Sequence, residues 1–453
     1  MLKRIGLRNF KSWRSIEAMR LASITGLFGT NSSGKSSILQ VLLMMKQTVE
    51  SPDRMQVLNL GGKDDRTMLG TFREMLFRGQ EPFEFHLEWA LPKPLRIRNP
   101  EEKNAVLFSG SEMSFHTRIS ANSQGRMQVE FLEYGYSGIR FSMTRKESTP
   151  GSFILRSDGG DFSFRRSKGR PWDLPEPVKC YGFPDQVRAY YQNASFLSDL
   201  VLAFEEQFDR IYYLGPLREY PKREYTWSGA QPADMGQRGE RVVDALLASR
   251  QREPIGRGKG KRRFTVEEYV AYWLKELGLV EDFSVEEITP DSNLYRVWIT
   301  QSPGVPRVLI TDVGFGISQI LPVLTICYYV PQGSTILLEQ PEIHLHPSVQ
   351  AGLADVFIDA VKHRGVQIIL ESHSEHLLRR LQRRLAEENI NPDQLALYFV
   401  KMEKGESRLQ NLEVDAYGNI LNWPPNFFGD ELGDLAAMTE AAMKRKISAR
   451  SQV

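Results

Sequence analysis

Polar and apolar residues alternate along LKRIGLRNF at the start of the chain, a two-residue period that predicts a strand. SITGLFG follows as a short apolar run, and SSILQVLLMMKQTV has the three-to-four spacing of a helix, so the first 45 residues read strand, strand, loop, helix. Residues 50–80 are loop-rich. From about 82 to 170 the pattern changes to short alternating segments: FEFHLEWAL, MSFHTRISA, MQVEFLEYGY, IRFSMTR, SFILRS and DFSFRR. Gly, Ser, Asn and Pro separate them, which predicts an antiparallel sheet. Residues 185–210 and 265–278 have helical spacing. A second α/β stretch begins near 307, where VLITDVGFG, STILLEQ, VQIILESHS and LALYFVKM read as apolar strands, with helical patterns after the first three. Beyond 402 come a hairpin, WPPNFFGDE and a polar amphipathic end. No repeat, heptad run or long low-complexity tract interrupts this order.

Composition narrows the class. The 453 residues are 41% hydrophobic and 25% charged, the ordinary globular range. No apolar run approaches the ~18 residues of a membrane span, and MLKRIGLRNF has no signal-peptide core, so no membrane contact is expected. Cys180 and Cys327 lie far apart and in no C-x-x-C pattern, which argues against a disulfide framework or a cysteine zinc site and for a reducing, cytoplasmic setting. With a net charge of only +2, nucleic-acid binding needs local basic clusters. The strongest is RQREPIGRGKGKRRF, residues 250–264, where seven basic residues (Arg250, Arg252, Arg257, Lys259, Lys261, Arg262, Arg263) face one acid, Glu253. Gly256, Gly258 and Gly260 add freedom, so the segment reads either as a sequence-independent phosphate contact or as a solvated linker. RRSKGR (165–170) reads as a hairpin turn and LLRRLQRR (377–384) as a basic helix face.

The sharpest chemical signal is GTNSSGKS, Gly29 to Ser36, which fits G-x-x-x-x-G-K-[ST] completely between an apolar strand and a helix. Gly29 and Gly34 let the backbone curl. The N–H groups around Asn31, Ser32, Ser33, Ser36 and Ser37 then face phosphate, backed by the helix N-terminus. Lys35 reaches the β- and γ-phosphates and the Ser36 hydroxyl holds Mg²⁺, so ATP and Mg²⁺ are the expected ligands. In the C-terminal third, TDVGFGISQILPVL places Gly314, Gly316 and Ser318 before an apolar helix, a second anion cradle. Glu339 then ends one apolar strand, where a carboxylate holds Mg²⁺ through water, and His373 follows another.

This ordered set resembles the ATP-binding-cassette ATPases. IGLRNFKSW and GLFGTNSSGKSSIL resemble the opening of SMC-, RecF- and OLD-type members. DVGFGISQILPVL, LLEQPEIHLHP, ESHSEHLLRRL and YYLGPLREYPKREYTWSG are similar to prokaryotic stand-alone ATPases of this superfamily, many of them subunits of anti-phage systems such as Septu. The resemblance implies an α/β head: a mixed-sheet nucleotide domain, an antiparallel β-rich lobe and a helical insertion. Residues 1–81 would carry the phosphate loop, 82–175 the lobe, 176–306 the insertion, 307–401 the remaining ATPase motifs and 402–453 a hairpin and tail. It also implies that Gly314, Gly316 and Ser318 form a signature motif acting on the γ-phosphate of a second subunit, although VGFGISQ replaces LSGGQ. Glu339 stands at the Mg²⁺-linked acidic position, Gln340 at that of the catalytic Glu, Leu345, His346 and Pro347 in the D-loop, and His373 at the switch histidine.

Glutamine can hydrogen-bond water but cannot take its proton, which predicts slow hydrolysis and a long-lived ATP-bound dimer or higher oligomer. Glu342, swung in by the Pro341 turn, or Glu339 alone are the alternative bases. His344 and His346 read as a metal pair or as loop residues, and Arg218, Lys222 and Arg223 as contacts to nucleotide or a partner subunit. No Toprim or HNH pattern is present, so any nuclease is expected on a separate effector chain, with Trp423, Phe427 and Phe428 as one docking candidate. A RecF-like repair ATPase and a scaffold with unhydrolysed nucleotide are the competing functions.

Overall fold

The computed structural model describes every residue except 99–105, 257–259, 261, 425–426, 428–436, 444 and 446–453. Its strands are β1 (Leu2–Phe10), β2 (Trp13–Arg20), β3 (Ile24–Gly29), β4 (Phe83–Arg98), β5 (Val106–Ala121), β6 (Met127–Tyr136), β7 (Ile139–Arg145), β8 (Phe153–Asp158) and β9 (Ile211–Leu214). The later ones are β10 (Tyr225–Thr226), β11 (Asp282–Glu287), β12 (Leu294–Thr300), β13 (Val308–Leu309), β14 (Thr335–Glu339), β15 (Gln367–Glu371), β16 (Leu395–Glu403) and β17 (Glu406–Asn411).

Among the described residues these strands form three sheets. The central one runs β17-β16-β3-β15-β14-β9. Four of its five pairings are parallel and the fifth, the β16–β17 hairpin, is antiparallel, so the sheet is mixed. β14 and β15 are apolar along nearly their whole length because both faces are covered. Alternate side chains feed two cores: Leu27, Leu337 and Ile369 pack with the helix Lys35–Glu50 and the lobe, while Phe28, Ile336, Leu338, Ile368 and Leu370 pack with the C-terminal helices.

The second sheet, β2-β1-β4-β5-β6-β7-β8, is antiparallel throughout. The α/β class, mixed sheet and antiparallel lobe are as the pattern predicts. Three details differ. β1 and β2 join the lobe sheet, because the alternating face of LKRIGLRNF pairs with FEFHLEWAL from Leu2 opposite Trp89 to Arg8 opposite Glu84. DFSFRR is no strand: Phe162 packs edge-on with Phe141 and Phe196, and Phe164 lies edge-on to Phe141 and parallel to Phe196, in an aromatic cluster. VLITDVGFG contributes only β13, which pairs with β12 in the third, four-stranded sheet before the chain turns into a helix.

Residues 176–306 hold the helices Leu197–Asp209, Val242–Ser249 and Val266–Glu276, but also strands. β9 forms the edge of the central sheet beside β14, and β10 to β12 build the third sheet. No helix among the described residues is long and apolar enough to cross a membrane.

Candidate functional site

β3 delivers its last residue, Gly29, into the phosphate loop with φ 135°, and a Cβ there would lie 2.0 Å from the Val400 carbonyl oxygen on β16. Gly34 is equally constrained: its φ is 101°, and a Cβ would fall 2.3 Å from the Ser407 Oγ. Only glycine fits either position without moving backbone or buried hydroxyls. The loop is held from behind. Trp13 Nε1 donates to the Gly34 carbonyl at 2.9 Å, and the Ser407 hydroxyl is 2.6 Å from both the Ser33 carbonyl oxygen and the Ser12 Oγ. Trp13 and Ser407 are supports that sequence spacing alone does not reveal. Asn31 and Ser32 stand exposed, Ser32 in the left-handed region, whereas Ser37 is buried.

Lys35 is buried and bent onto its own loop, with Nζ donating to the Thr30 carbonyl at 2.7 Å and to Gly29 at 3.2 Å. Burial pulls its pKa below the ordinary lysine value, opposed by Glu371 and Glu342. Its Nζ lies 3.7 Å from Glu371 Oε1.

The acidic edge is one strand further along. β14 and β15 run in register so that Glu339 lies opposite Glu371. Ser36, expected to share Mg²⁺ with Glu339, donates its hydroxyl hydrogen to Glu371 Oε2 at 2.6 Å. Strand order is the reason: β15 lies between β3 and β14, so Glu371 is the carboxylate nearer the loop. Glu339 is pushed up to about 7, first by burial and then by the Glu371 charge, while Tyr213 donates to its Oε1 at 3.0 Å. Arg218, on the turn after β9, is buried, and its Nε and Nη1 have no partner among the described residues. Its Nη2 points at the Glu339 carbonyl oxygen, 3.4 Å away. Burial brings this guanidinium down to about 10, against the opposing pull of Tyr213, Glu339 and Glu342.

Gln340 follows in a left-handed conformation, φ 45°, and its N–H donates to the Glu371 carbonyl at 2.9 Å. Glu342 is buried, and its Oε1 accepts the His373 backbone N–H at 2.7 Å. That contact joins the turns after β14 and β15. His373 is half-buried, its pKa lowered by burial and by the nearby Lys35 charge. His346 caps the helix Pro347–Arg364 through Ser348, and His344 meets the Phe315 ring edge-on at 5.4 Å, so the two histidines serve separate contacts. Gly314 caps the helix Phe315–Tyr329 without a side-chain bond, and Ser318 turns its hydroxyl back to the Phe315 carbonyl at 2.7 Å. A Cβ on Gly316 would sit 3.7 Å from the His344 carbonyl oxygen, so this turn lies against the loop after β14. Exposed Tyr220 lies beside exposed Phe315, ring centroids 5.5 Å apart and tilted by 43°, with Leu217 exposed on the same segment as Tyr220.

Ser36, Glu339 and Glu371 are hard oxygen donors of the kind Mg²⁺ takes. Among the described residues the buried Ser33 hydroxyl and two Arg218 nitrogens have no partner, as expected of groups that meet a phosphate ligand. The residues present therefore fit a magnesium nucleotide. A cavity of about 770 Å³ lies elsewhere, on the lobe beside Arg8, Arg14, Glu84, His86 and His116.

The expected basic surface is partly neutralised. Arg250 pairs with Glu267 at 2.7 Å, Arg262 with Glu268 at 2.5 Å, and Arg252 lies 4.0 Å over the Tyr329 ring. Arg257, Lys259 and Lys261 lie outside the described residues. Arg380 and Arg384 share Asp355, Arg379 and Arg383 pair within their helix, and Arg223 binds Asp312. Of the aromatics expected to dock an effector, Phe427 packs against Phe28 and Phe399 of the central sheet, and Trp423 against Phe427. Both serve their own fold; Phe428 lies outside the described residues.

Residues 1–159 match a family model described as an AAA ATPase domain, and residues 233–379 match an AAA domain model whose description adds AbiEii toxin and type IV TA system. Residues 390–438 match the model "Protein of unknown function (DUF3696)". No curated protein matches the chain. Among solved structures, an SMC head bound to the C-winged helix domain of ScpA is 12% identical with TM-score 0.45, covering 92% of this chain and 98% of that one. The SMC head domain from Thermotoga maritima is 12% identical with TM-score 0.39, over 91% and 99%. A Pyrococcus furiosus Smc head with an extended coiled coil, bound to the C-terminal domain of ScpA, gives 11% and 0.44, over 91% and 96%.

Proposed function

We propose that this AAA-type ATPase is a slow, ATP-held switch that controls a separate effector, in our reading a nuclease of an anti-phage system. One observation carries the proposal: a fully formed phosphate loop stands over the carboxylates of β14 and β15, while the residue after Glu339 is Gln340. On ATP binding, Lys35 would exchange the Thr30 and Gly29 carbonyls for phosphate oxygens, a like-for-like replacement of hydrogen bonds. Bound Mg²⁺, held by Ser36 and the acidic edge, would neutralise phosphate charge. Arg218, with two free nitrogens beside Glu339, adds a fixed positive charge on the far side of that edge. Water beside Gln340 could be oriented but not deprotonated, and lack of a base removes ~10²–10⁴ in rate. Glu342, tied to the His373 backbone, is the less suited substitute.

The exposed Phe315, Tyr220 and Leu217 beside the Gly314 turn support assembly of two heads around nucleotide. The toxin–antitoxin wording of the matching AAA domain supports a defence setting. The basic segment 250–264 remains the candidate nucleic-acid contact, less the Arg250 and Arg262 charges that Glu267 and Glu268 pair. The decisive experiment is ATP turnover by the pure protein beside Lys35→Ala and Gln340→Glu, with mass recorded by light scattering. Slow wild-type turnover, accelerated by Gln340→Glu and accompanied by an ATP-dependent dimer, is expected. Turnover of many molecules per second by the wild type would sink the switch reading.

A further inference from the structure

We infer that Glu371 is the second carboxylate of the divalent-cation seat, exchanging its ion pair with Lys35 for the metal when nucleotide binds. The inference rests on the nucleotide reading above and assigns a residue to that site. Four observations lead to it. Glu371 ends β15, the strand between the phosphate loop and Glu339, so it is the acid nearest Ser36. Its Oε2 already holds the Ser36 hydroxyl at 2.6 Å, the group through which a phosphate loop meets its cation. It is 5% exposed, and among the described residues Lys35 is the one cation within ion-pair distance. Glu339 lies beside it in register, so the two strands present a pair of oxygen donors at one edge.

Charge balance supplies the driving force. Glu339, Glu342 and Glu371 cluster around two buried cations, Lys35 and Arg218. When phosphate draws Lys35 away, Glu371 is left as a buried carboxylate without a counter-charge, an arrangement proteins avoid strongly. A divalent cation arriving with the nucleotide restores the balance at the same place. Hard oxygen ligands and a phosphate-bridged seat suit Mg²⁺ or Mn²⁺. Nucleotide and metal should therefore bind as a coupled pair, with Glu371 the residue that couples them. Glu371 is thus a further metal-holding residue, and Gln340, whose N–H holds the Glu371 carbonyl, helps fix its strand end.

The test measures equilibrium binding of a fluorescent non-hydrolysable ATP analogue, with EDTA and with Mg²⁺, to wild type, Glu371→Gln and Glu339→Gln. Electron paramagnetic resonance of Mn²⁺ with the same analogue counts bound metal. Glutamine keeps an acceptor for Ser36, and matching thermal melts confirm that each variant folds. We expect Glu371→Gln to bind the analogue in EDTA about as well as wild type. It should lose ~10–100-fold of the affinity gained with metal, together with the Mn²⁺ signal. If Glu371→Gln keeps the full metal gain while Glu339→Gln loses it, Glu339 alone forms the seat and the inference is wrong. If the folded wild type binds no analogue with or without metal, the nucleotide reading itself fails.

Discussion

The two sides of the candidate site are built to different standards. On the phosphate-loop side the backbone is closely confined: Gly29 lies against Val400, Gly34 against Ser407, and Trp13 and Ser407 bond the loop from behind. On the acidic side burial pushes Glu339 up to about 7, two Arg218 nitrogens have no partner among the described residues, and Gln340 and His344 both occupy the left-handed region, φ 45° and 61°, as Ser32 alone of the loop's non-glycine residues does on the other side. Such conformations cost roughly 1 kcal/mol each outside glycine and collect where surroundings enforce them. The contrast separates holding from turning over: the cradle is finished in the folded chain, and the acidic edge is left to be completed by what binds it.

That comparison can be broken at several points. The largest effect is expected at Gly29→Ala, which places a methyl group on the Val400 carbonyl in a left-handed backbone and should cost more than ~3 kcal/mol, read as loss of soluble protein or a steep fall in Tm. Wild-type-like stability in this variant would show that the cradle is softer than its contacts imply. Gln340→Glu should raise single-site ATP turnover by ~10² with little change in nucleotide affinity, since only the acidic side changes; unchanged turnover would move the missing base elsewhere. Ser407→Ala removes the hydroxyl shared by Ser33 and Ser12 and should cost ~1–2 kcal/mol in chemical denaturation, weakening nucleotide binding while leaving the Gln340→Glu gain intact.

The smallest effect is a pH dependence. Glu339 has a folded-state pKa of about 7, above its ordinary 4.5, so the fold favours its protonated form. That contribution is complete below about 4.5 and is lost as pH rises through about 7. With divalent cations chelated, moving from pH 8 to pH 6 should stabilise the wild type by about 1 kcal/mol relative to Glu339→Gln. Parallel melting curves for the two proteins across that range would remove the special status of this carboxyl.

The two sides were also unequally legible. The cradle is contiguous, so GTNSSGKS announces it, and the alternation of FEFHLEWAL through IRFSMTR announces the lobe. Glu371 was visible in part: VQIILE ends in a glutamate after an apolar run just as TILLE does. Strand order decides which of the two acids meets Ser36, and apolar runs do not encode strand order. Ser407 was hidden for the same reason, whereas Arg218 was legible as a nucleotide or partner contact but not as a neighbour of Glu339. Alternation marks β1 as a strand without naming its partner, so its pairing with β4 was not legible. The basic segment misled in the opposite direction, since charge is read from sequence but the acids that neutralise it, Glu267 and Glu268, lie on a helix that packs back.

β3, near the start of the chain, is flanked in the sheet by β15 and β16 from its last quarter, and the phosphate loop leans on Ser407. During synthesis the loop is therefore made well before the strands that wall it. A ribosome must pass β17 before those walls exist, so a chain stalled or cut before the hairpin presents the nucleotide motif without the pocket.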